Sequence, residues 1–456
     1  MAGIGFQLRR LASSGTFTGT MGAYATAAAI SAGPWIISIV ALMFLTWLLD
    51  RVLPGDEIRL FSSAVTHVYA FALIFTGPIQ IILTRYTADQ VSLHRPQNIY
   101  PAFRGGVILT TVFTAVGGGV FFLRMVPAPD GFGVYAAALL VLVACVFVAG
   151  VFLSALQKYE GIVVSFAIGY GVGVWASWKL AQQHGVAGAM AGLVMGHALL
   201  FLLLTICIRW ELGAGKGPTF GFVPMFFKLP SLALCGLFYN LGIWVDKFMF
   251  WWVSQTSVQV KGALYAAPDY DLAIYLSLLS IAPGMAVFIL QVETAFAERF
   301  HAYFEAVNEG RSLHQILHAK NLLLISLREG FVRLLKVQGV TTLILVVFAH
   351  ELTHWFQVSF VQVGIFRITL FGAFLLVVFL AMLTVLFYFN DRRGAMLCSG
   401  VFLVANAVLS GVTLMQNEAW YGFGFVTSAG LALFIATNRV NHRLEDLEYY
   451  TFQVTD

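Results

Sequence analysis

The sequence predicts an all-α membrane protein with about twelve spanning helices. Of its 456 residues, 59% are hydrophobic and only 11% are charged, and the mean hydropathy is +0.85. Soluble domains have about 45–50% apolar and about 25% charged residues, so a water-soluble core could not absorb this excess. The alternating pattern of a β-barrel is absent, which leaves closed helices as the structure that satisfies the backbone in lipid.

The spanning segments follow from length and hydropathy. A helix needs about 20 mostly apolar residues to cross the hydrocarbon core. Twelve stretches of the chain fit this requirement. Their predicted bounds are 22–49, 60–83, 105–123, 134–156, 161–180, 186–208, 229–253, 265–292, 335–350, 365–388, 394–415 and 419–438.

The basic residues predict the orientation of these segments. With the N-terminus in the cytoplasm, 19 of the 26 Lys and Arg residues fall in cytoplasmic segments and six fall in external ones. The remaining one, Lys247, lies within a span. Cytoplasmic loops of membrane proteins carry an excess of Lys and Arg, so both termini are expected to be cytoplasmic.

A polar stretch, ELGAGKGPTFGF at 211–222, divides the twelve segments into two sets of six. We therefore expect an N-terminal lobe at 1–210, a cytoplasmic linker at 211–228 and a C-terminal lobe at 229–456. Two helical lobes with a site between them are typical of transporters.

The second lobe contains a long cytoplasmic loop, predicted at 295–334. Between Ala295 and Lys336 the chain has six Lys or Arg residues, and its Leu and Ile residues recur at mostly helical spacing. This pattern fits a helix at the membrane surface. The loop is expected either to dock cytoplasmic machinery or to lie on the membrane without a partner.

Several function classes are disfavoured by the sequence. No long basic face is present, so nucleic acid is not an expected partner. The string GAGKG at 213–217 has no Ser or Thr after its lysine and is therefore not a phosphate-binding loop. No cofactor or metal is expected, because the cysteines lack metal-binding spacing and resemble small core residues. These cysteines are Cys145, Cys207, Cys235 and Cys398.

The string HELTH at 350–354 matches the metalloprotease pattern H-E-x-x-H, in which Glu351 would be the general base. A catalytic zinc site usually has three protein ligands. The metzincin continuation would place Gly and His where Gln357 and Phe360 stand. Polar residues at a helix end near the membrane surface are the favoured interpretation, and an intramembrane metalloprotease is the least favoured function.

Glycines at helical spacing predict close packing of two segments. In segment six, Gly188, Gly192 and Gly196 share one face, and Gly169 and Gly173 repeat the spacing in segment five. Small residues at such intervals let helices approach closely.

Segment seven contains an acid and a base within an apolar run, Asp246 and Lys247 in YNLGIWVDKFMFWWV. Such intramembrane charges need a partner or a wet cavity. Successive helical residues point about 100° apart, so the two are not expected to face each other. Asp246 either lines a transport cavity or forms a structural pair. Lys247 either lines the same path or extends its amine toward the interface.

Polar residues also mark the predicted cytoplasmic ends of two segments. Arg85 ends segment two, and Gln291 and Glu293 end segment eight. They are expected either to form a cytoplasmic gate or to be ordinary interfacial residues.

Four strings of the sequence resemble a known family. MAGIGFQLRRL at the N-terminus, SAGPWIISIV, YNLGIWVDKFMFW and VDKFMFWWVSQTSVQVKGALYAA resemble the transporters of bacterial Pel exopolysaccharide systems. That family belongs to the polysaccharide-exporting branch of the MOP flippase superfamily. The resemblance covers nearly the whole chain.

The resemblance implies a MOP/MATE-like fold of two six-helix lobes around a central cavity in the bacterial inner membrane. It also implies alternating access and a cationic, hexosamine-rich polymer as substrate. The implied partners are the cytoplasmic glycosyltransferase PelF and the membrane proteins PelD and PelE, together with the lipid bilayer.

A path for sugars should offer hydroxyl and amide groups and aromatic faces. Asp246 could attract the amino groups of a polycation, and Lys247 could engage a lipid diphosphate. The other residues expected to line the cavity are Tyr239, Asn240, Trp244 and Gln80.

Three transport functions remain open on the sequence alone. The favoured one is export of the exopolysaccharide, and the alternatives are flipping of a lipid-linked oligosaccharide and MATE-type export of small molecules. In each of them the protein is a transporter and not an enzyme.

Overall fold

The computed structural model describes residues 33–128, 131–155, 159–354 and 359–452. Within these ranges the chain is almost entirely helical. The helices are α1 (Gly33–Leu49), α2 (Gly55–Ser92), α3 (Ile99–Gly118), α4 (Phe132–Ala155), α5 (Tyr159–Leu212), α6 (Pro224–Lys228), α7 (Pro230–Trp252), α8 (Pro268–Leu279), α9 (Ala282–Gln291), α10 (Ala297–Asn308), α11 (Leu313–Val347), α12 (Ala349–His354), α13 (Phe360–Tyr388), α14 (Arg392–Leu414), α15 (Phe423–Glu445) and α16 (Leu447–Phe452).

The predicted number of spans agrees with the structure. Among the described residues, ten helices are long and apolar enough to cross a membrane, and α1 contributes a shorter apolar helix. Because α5 contains two of the predicted spans, these helices account for all twelve. The first predicted segment, 22–49, begins outside the described residues.

The two halves of α5 fold back on each other. The backbone turns at His184 and Gly185, where Gly185 has a φ of +57°. The antiparallel halves touch where Gly173 meets Gly196, and a Cβ on either glycine would press on the other half. The close packing predicted from the glycine spacing is therefore confirmed.

The described chain forms two compact units. The first comprises Pro34–Asp271 with Phe402–Ala407, and the second comprises Leu272–Val401 with Val408–Asp456. Helix α7 belongs to the first unit. The lobe boundary expected at 211–228 stays a prediction.

The core of the first unit forms where α2, α4 and α5 pack together, around residues such as Phe61, Leu139 and Leu193. Helix α2 also lies against α7, and the two approach most closely at Gly77 and Gly236. A Cβ on Gly77 would lie 2.7 Å from the Gly236 carbonyl oxygen. These two positions therefore require glycine.

A short antiparallel hairpin follows α7. Its strands are β1 (Val258–Lys261) and β2 (Leu264–Ala266). Ser63 of α2 donates to the carbonyl of Tyr265 at 3.1 Å, and the amide of Ala263 donates to the carbonyl of Met125 at 2.9 Å. The hairpin is thus fastened to the first unit.

In the second unit, the turn between α13 and α14 is held by Asp391. Its carboxylate accepts from the amide of Gly394 at 3.0 Å and forms an ion pair with Arg439 at 2.6 Å. Burial alone would raise the pKa of the Asp391 carboxyl. The bonds from Arg439 and Gly394 outweigh burial and hold that pKa below its ordinary value.

The helix predicted within the cytoplasmic stretch 295–334 is present, and the cytoplasmic position of the stretch stays a prediction. The stretch contains the end of a π turn (Val292–Phe296), all of α10 and the first turns of α11. At 1.5 Å per residue α11 is roughly 50 Å long, which exceeds the hydrocarbon thickness of about 30 Å. Its first turns therefore extend beyond the membrane core, where Lys320 pairs with Glu448 of α16 at 2.6 Å.

Candidate functional site

The acid–base pair of α7 lies in the interior of the first unit. Asp246 has no exposed surface and Lys247 is 4% exposed. Lys247 Nζ lies 3.2 Å and 3.1 Å from the two carboxylate oxygens of Asp246, and it donates to the carbonyl of Ile243 at 2.8 Å. The expectation that the two side chains do not face each other is therefore wrong. The flexible four-carbon stem of lysine lets the amine fold back to its neighbour.

A tyrosine at the start of α8 completes the coordination of Asp246. The Tyr270 hydroxyl donates to Asp246 Oδ2 at 2.7 Å, and the Tyr270 ring stacks on Phe250 with centroids 3.7 Å apart. Hydrogen bonds from an amine and a hydroxyl offset the cost of placing a carboxylate in a dry interior.

A second acid lies beside this pair. Asp271 accepts from Trp251 Nε1 at 2.8 Å and from the amide of Ala267 at 2.9 Å. It also lies in the first turn of α8, where the helix dipole favours a negative charge. Asp271 therefore both fixes the ring of Trp251 and caps the helix.

A histidine from α2 covers the other face of that indole ring. The rings of His67 and Trp251 stack with centroids 4.2 Å apart. His67 Nδ1 donates to the carbonyl of Ser63 at 2.8 Å, while its Nε2 is buried without a hydrogen-bond partner among the residues that the structure describes. We call the set Asp246, Lys247, Trp251, Tyr270, Asp271 and His67 the buried polar cluster.

Four of these six residues were not predicted from the sequence to lie in a site. The string PDYD at the start of α8 places acids at the end of an apolar span and could have indicated Tyr270 and Asp271. Nothing local distinguishes His67 from a buried core histidine. It lies in the cluster because α2 packs on α7.

The other predicted cavity residues lie on α7 and α2. Asn240 donates to the carbonyl of Gly236 at 2.9 Å, and Gln80 donates to the Thr76 hydroxyl at 2.6 Å. Trp244 lies one turn before the ion pair, with Lys247 Nζ 5.8 Å from its ring centroid. Tyr239 is half-buried on the same helix. Their role in a cavity stays a prediction.

The predicted gate residues have separate partners. Arg85 pairs with Asp89 on its own helix at 3.0 Å, and both side chains are partly exposed. Gln291 is buried and accepts from Arg333 at 3.2 Å. The side chain of Glu293 lies outside the described residues. The gate also stays a prediction.

The HELTH string forms α12, a six-residue helix separated from α11 at Phe348. His350 and Glu351 are exposed, and the side chain of His354 is outside the described part of the chain. Among the described residues, no group of three or more His, Cys, Asp or Glu side chains could hold a metal ion.

The chemistry of the buried polar cluster is electrostatic. It contains two carboxylates and one amine, so its formal charges leave one negative charge in excess. Removing one member of a buried ion pair costs about 3–5 kcal/mol, because the partner charge is then uncompensated. The cluster can stabilise the contacts of α7 with α2 and with the start of α8.

Solved transporters share this fold. The chain matches a MOP superfamily transporter from Pyrococcus furiosus at a TM-score of 0.65 with 12% identity, over 92% of this chain and 96% of that one. A mutant of the Vibrio cholerae MATE transporter VcmN matches at 0.67 with 9% identity, over 96% and 98%. An outward-facing multidrug resistance MATE family transporter matches at 0.66 with 12% identity, over 93% and 96%. The protein therefore has the fold of the MOP superfamily transporters.

The sequence itself defines the family of this chain. No curated protein matches the chain. The family model PelG, "Putative exopolysaccharide Exporter (EPS-E)", matches residues 1–452. The chain belongs to the PelG family of exopolysaccharide exporters, as the resemblance of its N-terminal and α7 strings predicts.

Proposed function

We propose that this protein transports a hexosamine-rich exopolysaccharide of the Pel type across the bacterial inner membrane. The observation that carries the proposal is the match to the PelG family over residues 1–452. Helices long enough for a multi-pass membrane protein support it. A polymer of this kind is longer than any pocket, so its sugars must pass one after another along a path between the helices.

The proposal includes an orientation and partners. Both termini are cytoplasmic, as the distribution of Lys and Arg favours. The polymer comes from a cytoplasmic glycosyltransferase, PelF, and the membrane proteins PelD and PelE assist its passage. The exposed side chains of α10 and of the first turns of α11 offer a surface for such contacts on the same side as the termini.

The buried polar cluster is proposed to serve this path. Amino groups on a hexosamine polymer are cationic, and the cluster has a formal negative charge in excess. Because Asp246 has no exposed surface in the conformation described, the proposal requires a second conformation in which its carboxylate can be reached. Alternating access by rocking of helical bundles provides such conformations in transporters.

Depletion of the chain from polymer-producing cells tests the proposal. We expect secreted polymer to fall to background and newly made polymer to remain in the cytoplasm, with both effects reversed by the intact chain. Accumulation of a lipid-linked oligosaccharide on the inner leaflet would favour the flippase alternative instead. Retention of small cationic dyes with unchanged polymer secretion would favour a small-molecule exporter.

A further inference from the structure

The eighth predicted span is broken within the second unit. Helix α8 ends at Leu279, and α9 begins at Ala282 with Pro283 in its first turn. Proline has no N–H group, so one helical hydrogen bond cannot form. At the break the amides of Ser280 and Ile281 bond to carbonyls only three residues back, at 3.1 Å and 3.2 Å, so the regular helical bonds are interrupted there. Backbone groups freed in this way inside a membrane need other partners.

One side chain from α11 supplies these partners on both sides of the break. Gln338 has no exposed surface. Its Nε2 donates to the carbonyl of Ser280 at 3.0 Å, and its Oε1 accepts from the amide of Gly284 at 3.2 Å. A Cβ at Gly284 would clash with the Gln338 amide, so the glycine is required for this contact. A single amide thus holds both edges of the break to α11.

The far end of α9 is irregular as well. A π turn, Val292–Phe296, follows it directly, and such turns occur frequently at functional sites. Near this end, Gln291 accepts a hydrogen bond from Arg333, whose side chain is 54% exposed. Helix α9 is therefore a rigid ten-residue piece between two irregular turns.

A small crevice lies beside this piece. It has about 20 Å³ of internal space, is partly open at the surface, and lies where α9 and the π turn meet α11 and α13. Ser326 is 7% exposed, and its hydroxyl has no hydrogen-bond partner in the described structure. The crevice is lined by Phe288, Gln291, Val292, Phe296, Ser326, Leu327, Gly330, Phe331, Thr384, Val385 and Tyr388.

We propose that α9 is a moving element of the transporter, hinged at the Ser280–Pro283 break and held in the described conformation by Gln338. The break provides the pivot, the crevice marks an imperfectly packed contact of α9 with α11 and α13, and the two hydrogen bonds of the Gln338 amide must open for the movement. Gln338 is a positioning residue, since it acts on the backbone of α9. Only the assignment of this movement to export rests on the proposed function.

A disulfide between α9 and α11 tests the movement. A Cβ on Gly330 would lie 3.8 Å from the Cβ of Gln291, within the range of about 3.5–4.5 Å found in disulfides. The double variant Gly330→Cys/Gln291→Cys is made with the four native cysteines replaced by serine. It is placed in inverted membrane vesicles that take up newly made polymer, and the thiols are oxidised with copper phenanthroline.

We expect oxidation to lower polymer uptake at least about tenfold and dithiothreitol to restore it. Each single-cysteine variant, treated in the same way, should take up as much polymer after oxidation as it does when reduced. Equal uptake by the oxidised and reduced double variant would overturn the inference, while leaving the transport function intact.

Hydrogen exchange tests the hinge without any transport assay. Gln338→Leu removes both bonds at similar volume, so we expect roughly tenfold faster exchange of the amides at 280–291 with no change in α13. The matched control, Ser280→Ala, removes the Ser280 hydroxyl but keeps the carbonyl that Gln338 binds. Unchanged exchange in Gln338→Leu, or an equal rise in α13, would refute the hinge even if the cysteine variant exports nothing.

Discussion

Asp246 and Lys247 are adjacent in sequence and buried together. A single substitution at either position therefore affects stability as well as any role in transport. Each charge is the main compensation for the other, with Tyr270 contributing a further hydrogen bond to the carboxylate. Asp246→Asn alone leaves a buried amine uncompensated, and Lys247→Met alone leaves a buried carboxylate. Both single variants should lose about 3–5 kcal/mol of stability, so low polymer output would not by itself report on the path.

Neutralising both residues separates stability from transport. We expect Asp246→Asn/Lys247→Met to be more abundant in the membrane than either single variant, because the charge and its ion-pair partner are removed together while Asp271 keeps its bonds from Trp251 and Ala267, yet to export little polymer. The measurement is membrane abundance and secreted polymer for the double variant beside each single variant. Normal export by the abundant double variant would mean that the pair is structural only.

Tyr270→Phe is the matched control for this pair. It removes one hydrogen bond to the carboxylate and keeps both charges, so it should cost about 1.5–3 kcal/mol and retain export.

The charges at this site can be recognised in the sequence, but the contact between the two side chains cannot. Residues next to each other on a helix point in different directions, and this rule concerns Cβ directions rather than the reach of a lysine. Tyr270 and His67 come to the pair through the packing of α8 and α2, which no local pattern encodes. The enclosure of Asp246 is likewise a tertiary property.

At the scale of elements, the contact of α2 with α7 depends on two glycines that face each other. A Cβ on Gly77 would lie 2.5 Å from Asn240 Nδ2 and 2.7 Å from the Gly236 carbonyl oxygen. The backbones are therefore close enough that no side chain fits between them. This contact lies on the same pair of helices that carries His67 and Trp251.

Gly77→Leu should separate these helices and lower both membrane abundance and thermal stability in detergent. The matched control is Gly150→Leu in α4, where a Cβ would meet nothing within 4 Å. Both substitutions gain helix propensity of up to about 1 kcal/mol. A difference in stability between the two variants therefore measures the effect of the close contact between α2 and α7. Equal stability of the two variants would show that α2 and α7 can move apart without cost.

The helical stretch within 295–334, predicted to be cytoplasmic, has exposed apolar side chains. Leu313 is 65% exposed and Leu317 is 40% exposed on the first turns of α11, and they lie one turn apart on one face. We expect Leu313→Ser/Leu317→Ser to reduce co-purification of the glycosyltransferase while leaving membrane insertion intact. His314→Ser, an exposed residue between them on another face, should change nothing. Unchanged co-purification in both variants would favour a membrane-surface helix without a partner.

The spacing of Leu and Ile predicts a helix in this stretch, whereas mean hydropathy does not show that this helix continues into the next span. The charged residues of the stretch lower its mean hydropathy. Helix α11 continues through the stretch because its later turns are anchored in the bilayer, and Lys320 fastens its early turns to α16. The break at Pro283 could not be predicted either, because a proline in an apolar span does not show whether the helix is interrupted. Helix α2, for example, passes through Pro78 without a break.

For the whole molecule, the number of spans follows from composition and length, whereas the division into lobes does not. Twelve apolar stretches predict twelve crossings because lipid allows few other structures. The turn at His184 and Gly185 was correctly placed between segments five and six. Which helices pack together depends on side-chain contacts that hydropathy ignores.

The orientation is a prediction about the whole chain. Reporter fusions should place residues 211–222 and 300–330 in the cytoplasm, and residues 255–262 and 352–362 outside, because Lys and Arg concentrate in the former. An external position for 300–330 would place the exposed surface of α11 on the opposite side of the membrane from the cytoplasmic glycosyltransferase and would contradict the proposed contact.

The most direct test of the central claim is a protection assay with inverted membrane vesicles that contain this chain. The glycosyltransferase and a labelled sugar nucleotide are supplied outside, and a glycoside hydrolase then removes any polymer that has not crossed the membrane. The account predicts protected polymer with the intact chain, and none in vesicles without the chain or with Asp246→Asn/Lys247→Met. Polymer that is synthesised in the presence of the intact chain and remains fully digestible would contradict it.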